Sequence, residues 1–242
     1  RAVLARPGEA VTELAFRADG TALASSGSGA QITLWELAAP SAYRSFASPT
    51  GAPITGLSFS PAGNTLAGAD EDAAITVWDT DSGTPTELAG HSGLVKRMTF
   101  SPNGAQLASD GLDARLLVWE VAAGETEAAL PARGDGQATG LAFSPDGATL
   151  ASVGEHNEIL LWSPSSGTLT QVLAGHGAPV SELAFGAAGA YLASVDTDGQ
   201  VIVWSLLTGA ERFAWQLPAA TREDAAATEA DSTAAGAANA PP

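Results

Sequence analysis

Short apolar runs ending in phenylalanine recur along the chain: Leu14-Ala15-Phe16, Leu57-Ser58-Phe59, Met98-Thr99-Phe100, Leu141-Ala142-Phe143 and Leu183-Ala184-Phe185. Each is followed by a turn. Three turns read Ser-Pro-x-Gly (Ser60 to Gly63, Ser101 to Gly104, Ser144 to Gly147), where proline presets the first corner and glycine closes it. Arg17 to Gly20 and Gly186 to Gly189 keep the closing glycine. A second apolar run then appears, as in Leu23-Ala24-Ser25, Leu107-Ala108-Ser109, Leu150-Ala151-Ser152 and Leu192-Ala193-Ser194. A third carries a tryptophan: Ile32 to Trp35, Ile75 to Trp78, Leu116 to Trp119, Ile159 to Trp162 and Val201 to Trp204. These runs are too short for helices and apolar without alternation, the pattern of strands covered on both faces. A turn glycine follows at Gly83, Gly124, Gly167 and Gly209, and then a weaker fourth run.

The tryptophans fall 43, 41, 43 and 42 residues apart, so the four-strand unit occurs five times. Four strands in about 40–45 residues, repeated radially, is the signature of a β-propeller. The chain resembles the WD-repeat (WD40) family over residues 1–217. The family's Gly-His pair stands at Gly90-His91 and Gly175-His176, and its Trp-Asp pair at Trp78-Asp79; Glu36, Glu120, Ser163 or Ser205 follows the other tryptophans. The resemblance implies an all-β fold, a β-propeller of four-stranded antiparallel blades. Five are expected, at approximately 7–49, 50–90, 91–133, 134–175 and 176–217. Residues 1–6 read as the outer strand of a preceding blade, which leaves one strand over. That surplus suggests the C-terminal part of a larger, seven-bladed ring. Residues 218–242, rich in alanine and acids and without apolar periodicity, read as a disordered acidic tail or linker.

His91, Ser109 and Asp113 are the residue types of a serine hydrolase. The same set recurs as His176, Ser194 and Asp198 with the same offsets, and each set is followed by a tryptophan, Trp119 or Trp204. A catalytic triad has no reason to recur with the repeat. In the family these positions form a buried structural chain from carboxylate to imidazole to hydroxyl to indole, and that role is expected here rather than catalysis. The other repeats have lost it. The four places hold Pro7, Ser25, Gly29 and Trp35 in the first repeat, Thr50, Gly68, Asp72 and Trp78 in the second, and Gly134, Ser152, His156 and Trp162 in the fourth. His156 is read as an exposed loop residue.

Composition narrows the partners. The formal net charge is −17 and Lys96 is the only lysine. Such a field repels nucleic acid and anionic lipid, so neither nucleic-acid binding nor membrane insertion is expected. The chain lacks cysteine, which removes thiolate chemistry and cysteine-based zinc sites. Three histidines on separate repeats make no metal site, and no phosphate-binding Gly-Lys-Ser/Thr is present, so no metal and no cofactor is expected. The acidic run Asp70-Glu71-Asp72 reads as a solvated loop. Cysteine-free chains suit the cytoplasm and also a secreted protein without disulfides. Abundant alanine with scarce lysine hints at a high-GC bacterial genome.

In WD-repeat proteins one face is built by the loops entering each first strand and those preceding each third strand. Carried onto this chain, the first set holds Thr12, Thr55, Lys96, Thr139 and Ser181, and the second Ser28, Glu71, Leu112, Glu155 and Thr197. Lys96 and Arg97 are adjacent bases that could anchor an acidic peptide group or pair with local acids. The expectation is a non-enzymatic scaffold binding a protein or peptide through this face. The alternative is a sensor or regulatory module of a larger signalling protein whose catalytic domain lies outside the segment.

Overall fold

The computed structural model describes residues 10–39, 43–130 and 140–217. The expectations placed on residues 1–6, Pro7, Gly134, Thr139 and the segment 218–242 lie outside these residues. The described residues form five four-stranded antiparallel sheets, each built from strands consecutive in the chain and hydrogen-bonded in sequence order. The first strands are Val11–Phe16, Ile54–Phe59, Val95–Phe100, Leu141–Phe143 and Val180–Phe185. The second are Ala22–Gly27, Thr65–Asp70, Gln106–Gly111, Leu150–Val153 and Tyr191–Asp196. The third, carrying the tryptophans, are Gln31–Glu36, Ile75–Asp79, Leu116–Glu120, Ile159–Ser163 and Gln200–Ser205. The fourth are Tyr43–Ala47, Pro85–Leu88, Glu125–Leu130, Thr168–Leu173 and Ala210–Gln216. Helix is absent among the described residues.

The Ser-Pro-x-Gly segments form the hairpins between first and second strands. The Gly104 N–H donates to the Ser101 carbonyl at 2.8 Å, and Gly104 takes a φ of 71°, a left-handed conformation that strains residues with a Cβ.

First strands contact one another from sheet to sheet and so line the axis. The core lies between sheets. One apolar cluster joins sheets 1 and 2, a second joins 2 and 3, a third 3 and 4, and a fourth 4 and 5. The rule of assembly is the same at each junction: the tryptophan-bearing face of one sheet packs on the opposite face of the sheet before it. Trp78 thus sits among Ile32, Leu34 and Phe46 of sheet 1, and Trp204 among Ile159, Leu161 and Leu173 of sheet 4. Both third-strand faces are buried in the interior sheets, which explains their unbroken apolar runs. Truncating one of these indoles to alanine costs about 3–5 kcal/mol.

Candidate functional site

Two groups of polar residues stand out, one inside the sheets and one at the rim of the axis. The inner group begins with a close approach. A Cβ on Gly90 would lie 2.8 Å from the Trp119 indole, and one on Gly175 would lie 2.9 Å from that of Trp204. Glycine before each histidine therefore lets the indole seat beneath the loop, with the imidazole beside it. In sheet 3 the Trp119 indole N–H donates to Ser109 Oγ at 2.8 Å, and Ser109 Oγ lies 2.8 Å from His91 Nε2. His91 Nδ1 lies 3.0 Å from Asp113 Oδ1. Ser109 has one proton and already accepts from the indole. The chain is satisfied throughout when the hydroxyl donates to Nε2 and Nδ1–H donates to the carboxylate. Burial opposes ionisation of Asp113. The Ser92 N–H, His91 and the Arg115 N–H outweigh it and hold the carboxyl below its ordinary range.

Sheet 5 corrects one expectation. The Trp204 indole donates to Ser194 Oγ at 2.8 Å, and His176 Nε2 is 2.6 Å from the same oxygen. The acid on His176 Nδ1, at 2.9 Å, is Asp196 and not Asp198, whose backbone N–H merely donates to Asp196 at 3.1 Å. The cause is steric. Asp196 ends its second strand where sheet 3 has Gly111, and a Cβ at Gly111 would come within 2.9 Å of both His91 Nδ1 and Asp113 Oδ1. With glycine there, the turn aspartate reaches in. With aspartate there, the space is filled from the strand and Asp198 is left exposed. Burial again raises the Asp196 carboxyl, but His176 and the Gln200 and Asp198 N–H groups bring it below the ordinary range.

Sheet 2 follows sheet 5. Asp70, not Asp72, faces the loop, accepting from Thr50 Oγ1 at 2.6 Å and Ser48 Oγ at 2.8 Å. Sheets 1 and 4 keep only the last link, Trp35 to Ser25 and Trp162 to Ser152, each at 2.9 Å. The His156 side chain is 84% exposed. Ser109 and Ser194 are buried beneath indole and imidazole at 0% and 3% exposure, which withholds both hydroxyls from any substrate in solvent.

The rim group follows from an irregularity of the ladders. In sheets 1, 2, 3 and 5 the pairing of first and second strands slips by one residue, and the unpaired residues are Thr12, Thr55, Lys96 and Ser181. The residues expected in loops are thus bulge residues within the first strands. A bulge frees a side chain from the ladder and re-aims it. Thr12 and Lys96 are exposed, while Thr55 and Ser181 are half-buried and bond to the Ala69 and Val195 carbonyls of their own sheets. Ser28, Glu71, Leu112, Glu155 and Thr197 are exposed in the turns before the third strands. Three of these turns are tied to the segments entering the bulged strands. The N–H groups of Glu71, Leu112 and Thr197 donate to the carbonyls of Pro53, Leu94 and Pro179 at 2.8–3.0 Å. Among the described residues, the two expected sets therefore share one end of the sheets.

Inside this rim Thr55, Lys96 and Arg97 line a cleft of about 550 Å³, with Glu13, Met98 and Leu141. Arg97 is not free in it: its guanidinium donates to Glu182 of sheet 5 at 2.9 Å, bridging two sheets that are not neighbours. Opposite Arg97 in the ladder lies Asp110, buried, with Oδ2 lacking a partner among the described residues. Burial pushes its carboxyl up to about 7 against the pull of Arg97. Neither Asp110, Asp196 nor Glu182 is marked by any motif. The only signal for Asp70 and Asp196 is their shared position at the end of a second strand.

The model of the WD domain, G-beta repeat, matches residues 41–79, 84–120, 127–163 and 167–205. A search among curated proteins finds no match. Among solved structures, a chain in the crystal structure of the mitotic checkpoint complex is similar at a TM-score of 0.72 and 21% identity over 84% of this chain. At that identity the likeness speaks to the fold alone. The matched region spans 62% of that chain's length. Five tryptophan-bearing sheets stacked about an axis, and a repeat model that matches most of the sequence, together make this chain a member of the WD40 repeat family.

Proposed function

We propose that the chain binds a protein or peptide bearing an acidic group at the bulge-lined rim of its axis, with Lys96 as the anchoring charge. WD40 propellers are generally protein-interaction scaffolds, and rigid strands carrying variable rims suit that role. The observation that carries the reading is the setting of Lys96. It is the only lysine in a chain of net charge −17, and it is exposed at a bulge over the axial cleft. Arg97 is neutralised by Glu182, which leaves the lysine to meet an incoming carboxylate while the exposed Leu112 offers apolar contact on the same rim. Thr12, Ser28 and Thr197 offer hydroxyls, and Glu71 and Glu155 acceptors, to the remainder of such a ligand on the same rim. Thr139 belongs to the same proposed set. The buried His-Ser pairs have a structural role in this reading, and no cofactor enters it.

Selection from a displayed peptide library tests the proposal. Peptides rich in Asp or Glu should be enriched on the wild-type chain and lost on Lys96→Glu. Affinity purification with Lys96→Glu and Arg97→Glu extends the test to natural partners. Unchanged recovery of every ligand by the lysine variant rejects the site.

A further inference from the structure

Arg97 and Glu182 hold the same place in their sheets. Each directly follows the bulge residue of its first strand, Lys96 in sheet 3 and Ser181 in sheet 5. The same place, third before the phenylalanine that ends the run, holds Glu13 in sheet 1 and glycine in the two sheets beside Arg97, at Gly56 and Gly140. Sheet 4 lies between the pair, and Gly140 puts no side chain at their level. The guanidinium crosses to Glu182 and meets one carboxylate oxygen at 2.9 Å and the other at 3.5 Å. This is the two-pronged way in which arginine takes a carboxylate. Yet the pair stands in water, its side chains 38% and 61% exposed. Solvent screens such a pair, so it opens at little cost. Glu13, the other acid lining the axial cleft, has no ion-pair partner among the described residues, so Glu182 alone claims the guanidinium.

We infer that Glu182 stands in for an acidic side chain of the ligand, and that the site takes a segment bearing two neighbouring carboxylates. One carboxylate meets Lys96, and the second displaces Glu182 from Arg97. This rests on the reading of Lys96 given above and adds a second charge and the contact that guards it. Lys96 and Arg97 are adjacent in the chain and line the same cleft, so one short segment reaches both. The exchange replaces one carboxylate with another on the same guanidinium, so Arg97 is not left unpaired, and the exposed Glu182 returns to water. A ligand with a single acid is held by Lys96 and leaves the pair closed. Glu182 thus competes with the second acid of a ligand and not with the first.

Two peptides with blocked termini test this, Gly-Ser-Glu-Glu-Ser-Gly and Gly-Ser-Glu-Gln-Ser-Gly. Each is titrated into the whole chain at low ionic strength, where exposed charges are least screened, and followed by NMR chemical shifts. The two-acid peptide should bind the wild type more tightly. Glu182→Gln should strengthen that peptide a further two- to fivefold or about so, the scale of an exposed ion pair, and leave the one-acid peptide almost unchanged. Asp198→Asn removes the same charge from an exposed turn of the same sheet and measures the general field; its effect should be smaller and equal for both peptides. In an Arg97→Gln chain the two peptides should bind alike, and Glu182→Gln should add nothing beyond that field. Near-ultraviolet circular dichroism of the buried tryptophans verifies the fold of each variant, and the comparison of Glu182→Gln with Asp198→Asn decides alone where Arg97→Gln does not fold. A gain from Glu182→Gln no larger than that from Asp198→Asn, or one that survives without Arg97, overturns the inference even where Lys96→Glu abolishes binding. Binding that Lys96→Glu leaves intact, or no binding of either peptide, rejects the reading of Lys96 and the inference with it.

Discussion

Sheets 3 and 5 build the same chain of indole, hydroxyl, imidazole and carboxylate, yet they draw the acid from different places. In sheet 3 it comes from the turn, at Asp113, and in sheet 5 from the end of a strand, at Asp196. The difference teaches that the imidazole requires a carboxylate at a point in space, not at a place in the repeat. Whichever residue can occupy the room beside Nδ1 supplies it, and the residue at position 111 or 196 decides which.

The largest expected effect is on the acid itself. Asp196→Ala leaves a buried imidazole N–H without its acceptor and should cost about 1–3 kcal/mol, the scale for a buried donor left unsatisfied. Asp198→Ala should stay within about 0.5 kcal/mol, the scale for surface positions. Chemical denaturation measures both, and equal losses would erase the distinction between the two sheets. Next comes the exchange of one arrangement for the other. Gly111→Asp alone crowds His91 and Asp113, and Asp113→Gly alone strips the histidine. The double variant should rebuild the sheet 5 geometry in sheet 3. It should be more stable than the sum of the two single changes implies, with a coupling of about 1–3 kcal/mol.

The pH dependence sharpens the comparison further. Asp113 and Asp196 are depressed in the folded chain. Their contribution is fully present above the ordinary carboxylate range and is lost as pH falls through their folded values. Asp110 works in the opposite sense. Its folded value of about 7 lies above the ordinary one, so the folded state holds a proton that the unfolded chain has released. It costs stability increasingly as pH rises from about 4 to 7, and the cost is complete above that. Asp110→Asn should therefore stabilise the chain by on the order of a few kcal/mol above neutrality and by nothing near pH 4, as thermal melts across pH would show. The smallest effect is expected at Arg97–Glu182. Both side chains are substantially exposed, and a double-mutant cycle should return about 0–1 kcal/mol.

Much of this architecture was legible in the residues. Phenylalanine-ended runs, turn glycines and regularly spaced tryptophans announce strands, hairpins and the count of five sheets, because local sterics and burial on both faces act through short stretches of chain. His91, Ser109, Asp113 and Trp119 were legible as one chain through the resemblance to the WD-repeat family, whose structural chain occupies those positions. Asp198 was misread because spacing from Ser194 was carried over from sheet 3, while the choice between Asp196 and Asp198 depends on whether a side chain already fills the space beside His176. Lys96 was legible as an unusual charge. Its placement on a bulge, and the capture of Arg97 by Glu182, were not.

The chain alone determined which segments form strands, how they turn and which indole closes each sheet, since these depend on neighbours a few residues away. Tertiary structure alone decided which aspartate serves His176, that Asp110 is buried without a partner for Oδ2 among the described residues, and that Arg97 reaches across to Glu182. Those outcomes depend on which groups from distant segments compete for one space, and linear order does not encode that competition.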